Sequence, residues 1–178
     1  MTMKTRKVVD LLLDHHRESR SGFPEAIYGA GKTPEQITRS FQELLGSTKK
    51  ALATSCSPEA LEQLRKKIRG VHVDELAKMA WVCGETGKTR GTVAILAAGT
   101  SDLSVAQEAA ITLEFAGYAP RRFFDIGVAG IHRLFDHLDE VRQAEVVIAV
   151  AGMEGALPSV VGGLVSAPLI AVPTSIGY

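Results

Sequence analysis

Four short apolar runs, residues 92–97 (TVAILA), 122–126 (RFFDI), 146–150 (VVIAV) and 169–172 (LIAV), constrain this chain more than any other feature. Most of them lack the polar alternation of a half-wetted strand, so they suit strands buried on both faces. Three stretches of helical character, 103–115, 130–138 and 157–165, lie between them. Strand and helix alternating in this way predicts an α/β domain built on a parallel sheet with right-handed crossovers. The predicted domain spans residues 91–178, behind a separate small α/β segment at 1–90.

The first segment reads differently. A short helix over 11–16, a strand over 25–28, and strands at 71–73 and 79–82 are expected. Thr33-Pro34-Glu35-Gln36 is a strong helix start, with threonine as cap, proline in the first turn and glutamine three residues after the cap. That helix is expected to stop at Gly46. A strand over 51–54 and a helix opened by Ser57-Pro58-Glu59 and running to about Ile68 follow. Residues 85–91 read as a linker.

Charge separates the halves. Residues 1–90 hold 16 Lys and Arg against 11 Asp and Glu, a balance of +5, and residues 91–178 hold 4 against 9, a balance of −5. Either the halves attract one another, the first half handles an anion, or two solvated surfaces differ in composition. The densest basic cluster, Arg65-Lys66-Lys67 with Arg69, has no neighbouring aromatics and suits a solvated helix end, so nucleic-acid binding is not expected. No run approaches 18 uninterrupted apolar residues, and the N-terminal apolar run is short and broken by Asp10. Neither a membrane span nor a signal peptide is expected. Two cysteines, Cys56 and Cys83, without metal-ligand spacing fit a reducing cytoplasm and structural roles.

Parallel strands end on one sheet edge, where ligands bind. The loop after the first run holds Gly99-Thr100-Ser101-Asp102. Its backbone N–H groups and hydroxyls suit a phosphate, and Asp102 suits a helix cap, a ribose hydroxyl or proton transfer. A simple helix cap explains the same residues. The second loop holds Gly130-Ile131-His132-Arg133, where imidazole serves as acid or base and guanidinium binds an anion, or where both are ordinary surface. The third holds Ala151-Gly152-Met153-Glu154-Gly155-Ala156-Leu157-Pro158, whose glycines allow close approach to a flat ring. The fourth holds Pro173-Thr174-Ser175-Ile176-Gly177-Tyr178. Four glycine-bearing loops meeting on one edge point to a nucleotide site.

These loops resemble the aminoimidazole ribonucleotide (AIR) carboxylase superfamily. DIGVAGIHRL, VVIAVAGMEGALPSVVGGL, IAVPTSIGY and the N-terminal HRESRSGFPEAIYGAGKT resemble its LarB branch more closely, across nearly the whole chain. The resemblance implies a flavodoxin-like domain and carboxylation of the pyridinium ring of nicotinic acid adenine dinucleotide by carbon dioxide or bicarbonate. It further implies hydrolysis of the phosphoanhydride to release AMP, within nickel-pincer nucleotide cofactor biosynthesis. A homo-oligomer, expected as an octamer, and magnesium at the pyrophosphate are implied as well.

By the same resemblance Asp102, His132 and Arg133 are the catalytic group. Gly99, Thr100, Ser101, Gly130 and the Ala151, Gly152, Met153, Glu154, Gly155, Ala156, Leu157 loop hold the substrate. Arg17, Arg20, Glu25 and Lys32 match the N-terminal signature, with the cations expected near pyrophosphate or carboxylate. An electron-poor pyridinium ring attacks carbon dioxide only after a nucleophile adds to it, and a thiolate suits that step. The resemblance puts that cysteine beyond Tyr178, so the expectation is a domain truncated at its C-terminus. The alternatives are an aminoimidazole ribonucleotide carboxylase or mutase, whose ring is already electron-rich, and a non-catalytic nucleotide-binding module.

Overall fold

A computed structural model describes residues 12–83 and 89–176. The chain divides into two compact units. The first holds residues up to Val73 together with Ala80–Gly84, and the second holds Asp74–Met79 and the residues from Glu85 onward.

The first unit opens with α1 (Arg17–Ser21) and β1 (Ile27–Tyr28), followed by α2 (Pro34–Thr48), β2 (Ala51–Thr54) and α3 (Pro58–Lys67). Strands β3 (His72–Asp74) and β4 (Met79–Val82) complete a four-stranded sheet in the order β1-β2-β4-β3. β1 runs parallel to β2, and β4 is antiparallel to it. The start of α2 is as expected: Gln36 N–H donates to Thr33 Oγ1 at 3.2 Å, and Thr33 N–H donates to Gln36 Oε1 at 2.9 Å. This reciprocal pair satisfies two of the backbone donors that a helix start otherwise leaves open. Ser57 caps α3 with a single bond, accepting from Ala60 N–H at 3.2 Å. Ile37, Phe41 and Leu44 of α2 and Ala60, Leu61 and Leu64 of α3 bury one stripe each in the unit's core with Ala51 and Ala53.

The expected helix over 11–16 is displaced. Residue 11 lies outside the described residues, Leu12 is 92% exposed, and the helix forms at Arg17–Ser21. Of the described part of the run, Leu13 packs against the first unit's core without being helical. The helix forms instead where Gly22, in the left-handed region at φ 77°, terminates it by donating to Glu18 O. α2 runs past Gly46 to Thr48, because a single glycine weakens a helix without stopping it, and ends where Lys49, at a left-handed φ of 62°, donates its N–H to Leu45 O. The expected linker lies largely outside the described residues.

The second unit holds four parallel strands, β5 (Thr92–Ala97), β6 (Ala119–Phe123), β7 (Val146–Ala151) and β8 (Leu169–Pro173), in the order β6-β5-β7-β8. The fold is α/β and consistent with a flavodoxin-like arrangement. β5 shows why its sequence does not alternate. Val93, Ile95 and Ala97 pack with Ala106 and Ala110 of α4 (Leu103–Phe115), while Ala94 and Leu96 pack on the opposite side. That second layer brings in Leu134 of α5 (Ile131–Asp136), Val141 of α6 (Leu138–Val141), and Leu157 and Val161 of α7 (Ala156–Gly162).

Two expectations shift here. β6 begins at Ala119 rather than at Arg122, and takes in Pro120 and two exposed arginines. It is an edge strand, where a missing N–H and polar side chains cost little, so the apolar pattern understated its length. The helix expected over 130–138 breaks at His137, whose N–H donates to Leu134 O in a tightened turn.

Candidate functional site

The strand order fixes where a ligand fits. From β5 the chain crosses to β6 on one side and then returns past β5 to β7 on the other. The loops leaving β5 and β7 therefore separate and leave a crevice at the C-terminal sheet edge. A cleft of about 230 Å³ lies there. Ala98, Gly99, Ser101 and Asp102 line it from the first loop, and Gly127, Val128 and Ala129 from the second. Ala151, Gly152, Met153, Glu154, Ala156 and Leu157 line it from the third, with Ile176 beyond β8.

Asp102 is the buried charge of the site, 4% exposed. It closes a single 3₁₀ turn (Thr100–Asp102) that leads into α4. Its Oδ2 accepts from Gly99 N–H at 3.1 Å and its Oδ1 accepts from Thr174 Oγ1 at 2.7 Å, so both carboxylate oxygens are engaged. Asp102 thus takes up the Gly99 N–H that was expected to cradle a phosphate. Glu154, by contrast, is exposed beside it.

Two glycines are required by proximity. A Cβ on Gly127 would stand 2.6 Å from Ala98 O, which lets the loops after β5 and β6 touch backbone to backbone. A Cβ on Gly152 would collide with Ile176 and Thr174, against which the third loop is pressed. Met153 N–H donates to Ile176 O at 2.6 Å while Met153 itself adopts a left-handed φ of 54°. Its side chain is exposed as a result.

Of the other expected residues, Thr100 is exposed on the 3₁₀ turn, Gly130 is buried, and Gly155 is the left-handed cap of α7; none lines the cleft. His132 is exposed in the first turn of α5. Arg133 folds over Gly130 and pairs with Asp125, leaving its Nε buried without a hydrogen-bond partner. The cleft lining includes neither His132 nor Arg133. Ala98, Gly127, Val128, Ala129 and Ile176 line the cleft and Thr174 bonds Asp102, and none of these was among the expected site residues, although all lie in the loops that follow the expected strands.

Residues 7–83 match the LarB/PurE-like N-terminal domain family, and residues 92–177 match the AIR carboxylase family. An uncharacterized protein of Methanocaldococcus jannaschii is 41% identical over 179 residues, covering 94% of this chain and 69% of the relative. The chain belongs to the AIR carboxylase superfamily as a LarB-like member. The N5-carboxyaminoimidazole ribonucleotide mutase of the same organism is 36% identical over 84 residues, 46% of this chain and 51% of the mutase. Membership supports a carboxylase-type role for the cleft.

The LarB-like N-terminal signature lies in the first unit and is paired within it. Arg17 Nη1 donates to Glu25 Oε2 at 3.1 Å, and Arg20 grips Asp14 through two bonds, at 3.0 and 2.5 Å. The Asp14 carboxyl is held below its ordinary range by this Arg20 bond. Lys32 Nζ donates to Tyr28 O at 2.7 Å.

Both cysteines also belong to the first unit. Cys56 is buried, and that burial pushes its thiol up to about 11, which suits an inert packing role. Cys83 is exposed. Among the described residues no group of three or more His, Cys, Asp or Glu side chains is placed to hold a metal. No helix among them is long and apolar enough to cross a membrane.

Proposed function

We propose that the cleft takes the pyridinium ring of nicotinic acid adenine dinucleotide for carboxylation by carbon dioxide or bicarbonate, with the phosphoanhydride later hydrolysed to release AMP. One observation carries this reading. The cleft is lined by small apolar residues and two carboxylates, Asp102 and Glu154, with no Lys or Arg among the described residues that line it. Such a lining favours a flat cationic ring over a phosphate or a neutral ring, because a carboxylate is strengthened in a partly dry site by a positive partner. The glycine-rich third loop allows its backbone close to the ring face.

The chemistry follows from the ring. Addition of a nucleophile converts the cation to a neutral dienamine, whose carbon forms the new bond to carbon dioxide. Loss of the ring proton to a carboxylate and departure of the nucleophile then restore the pyridinium. Asp102 and Glu154 are the proposed proton acceptors. No thiol lines the cleft among the described residues, so binding is the step to test first. Arg17, Arg20 and Lys32 of the first unit are proposed as anion-binding groups, each exchanging its present partner for an anion.

A second reading, an aminoimidazole ribonucleotide mutase, is favoured by the similarity to the archaeal mutase and by a ring that needs no nucleophile. Calorimetric titration of the full chain with each compound separates the two. The pyridinium reading expects binding of the dinucleotide, with Glu154→Gln weakening it about tenfold through loss of one charged contact. Tighter binding of aminoimidazole ribonucleotide, or an unchanged affinity in Glu154→Gln, would overturn it.

A further inference from the structure

A buried carboxylate keeps one orientation only when both of its oxygens are engaged, because each unpaired one seeks water. For Asp102 the two anchors have different origins. Gly99 N–H belongs to its own turn, whereas the Thr174 hydroxyl arrives from 72 residues along the chain. Thr174 is itself held, since its N–H donates to Ala151 O at 3.0 Å at the end of β7. Two residues on, Ile176 O accepts from Met153 N–H, and Ile176 lines the cleft. The segment 174–176 therefore joins the loop after β5 to the loop after β7, and Thr174 is where the carboxylate is tied.

We propose that Thr174 is a positioning residue for this site: its hydroxyl locks the Asp102 carboxylate in place along the cleft wall. Gly99 alone leaves Oδ1 free, and the side chain then swings about its χ angles toward other donors or water. What Asp102 does to a bound ring rests on the pyridinium reading; that Thr174 orients it does not. Valine at 174 keeps the shape and removes the donor, and serine keeps the donor.

Two measurements on the full chain test this. In the ligand-free protein, amide hydrogen exchange at Gly99 is expected to accelerate about tenfold or more in Thr174→Val. It should stay near wild type in Thr174→Ser, with exchange at Leu134 and Val161 unchanged in both. In calorimetric titration with nicotinic acid adenine dinucleotide, Thr174→Val is expected to weaken binding and Thr174→Ser to restore it. Adding Thr174→Val to Asp102→Ala, which leaves no carboxylate to orient, should then cost nothing further, as coupled residues require. Unchanged Gly99 exchange in Thr174→Val, or additive losses in the double variant, would overturn the proposal. Failure of the wild-type chain to bind the dinucleotide would sink the pyridinium reading alone, because the exchange experiment decides the positioning role without a ligand.

Discussion

Replacing Gly127 with alanine tests whether the cleft depends on backbone contact between two loops. Gly127 has φ −63° and ψ 161°, a conformation any residue adopts, so the substitution brings no backbone strain. What it brings is a methyl 2.6 Å from Ala98 O and 3.2 Å from Ala98 C, where ordinary contact begins near 3.4 Å. The loops must part by several tenths of an ångström, and the atoms in the way are main chain, which has no rotamer to escape into. Overpacking of this kind costs about 1–3 kcal/mol, offset by about 0.4–1 kcal/mol from the smaller entropy of the unfolded alanine chain. A net loss of about 1–2 kcal/mol is expected.

The loss should be local. Ile126 N–H donates to Ala97 O at 3.2 Å and Ala98 N–H donates to Val150 O at 3.0 Å, and both bonds flank the crowded point. Hydrogen exchange at these two amides should speed by about tenfold, the kinetic equivalent of the expected loss. Gly155 is the control, since its φ of 65° is left-handed and its Cβ would meet nothing within 4 Å. Asparagine, which tolerates that conformation, should be accepted at 155 and be worse than alanine at 127. Wild-type exchange at Ile126 and Ala98 in Gly127→Ala would refute the argument from crowding.

Two other outcomes are expected. Thr33→Ala removes the acceptor of the reciprocal cap and should cost the first unit about 1 kcal/mol, read in urea from the fluorescence of Trp81, the chain's single tryptophan. Cys56 should resist iodoacetamide at pH 8 while the exposed Cys83 reacts. Burial holds the Cys56 thiol up at about 11 against an ordinary value of 9.0, so the folded chain keeps a proton that the unfolded chain releases. That contribution, on the order of 2–3 kcal/mol, is complete below pH 9 and is lost as pH rises toward 11. Cys56→Ala should flatten that part of the alkaline stability curve; an unflattened curve would place its cause elsewhere.

Where local chemistry decides the structure, it was legible in the residues alone. The Thr33–Gln36 cap, the Ser57 cap and strands β2 and β5 occur where their side chains and apolar runs imply, because caps and two-sided burial are written within a few residues. The same holds for Asp102, whose place after β5 follows from the strand and the turn. Elements whose length depends on their neighbours were less legible. β6 reached back through Pro120 only because it sits at a sheet edge, and the helix after Gly130 broke at His137. The composition of the cleft belonged to the tertiary structure. Folding seats Thr174 against Asp102 from 72 residues away and presses Ile176 onto Gly152, and it turns Arg133 to Asp125. Periodicity and capping act over one turn or one strand. A hydrogen bond between the ends of two strands exists only after the sheet order is set, and that order is a property of the whole unit's packing.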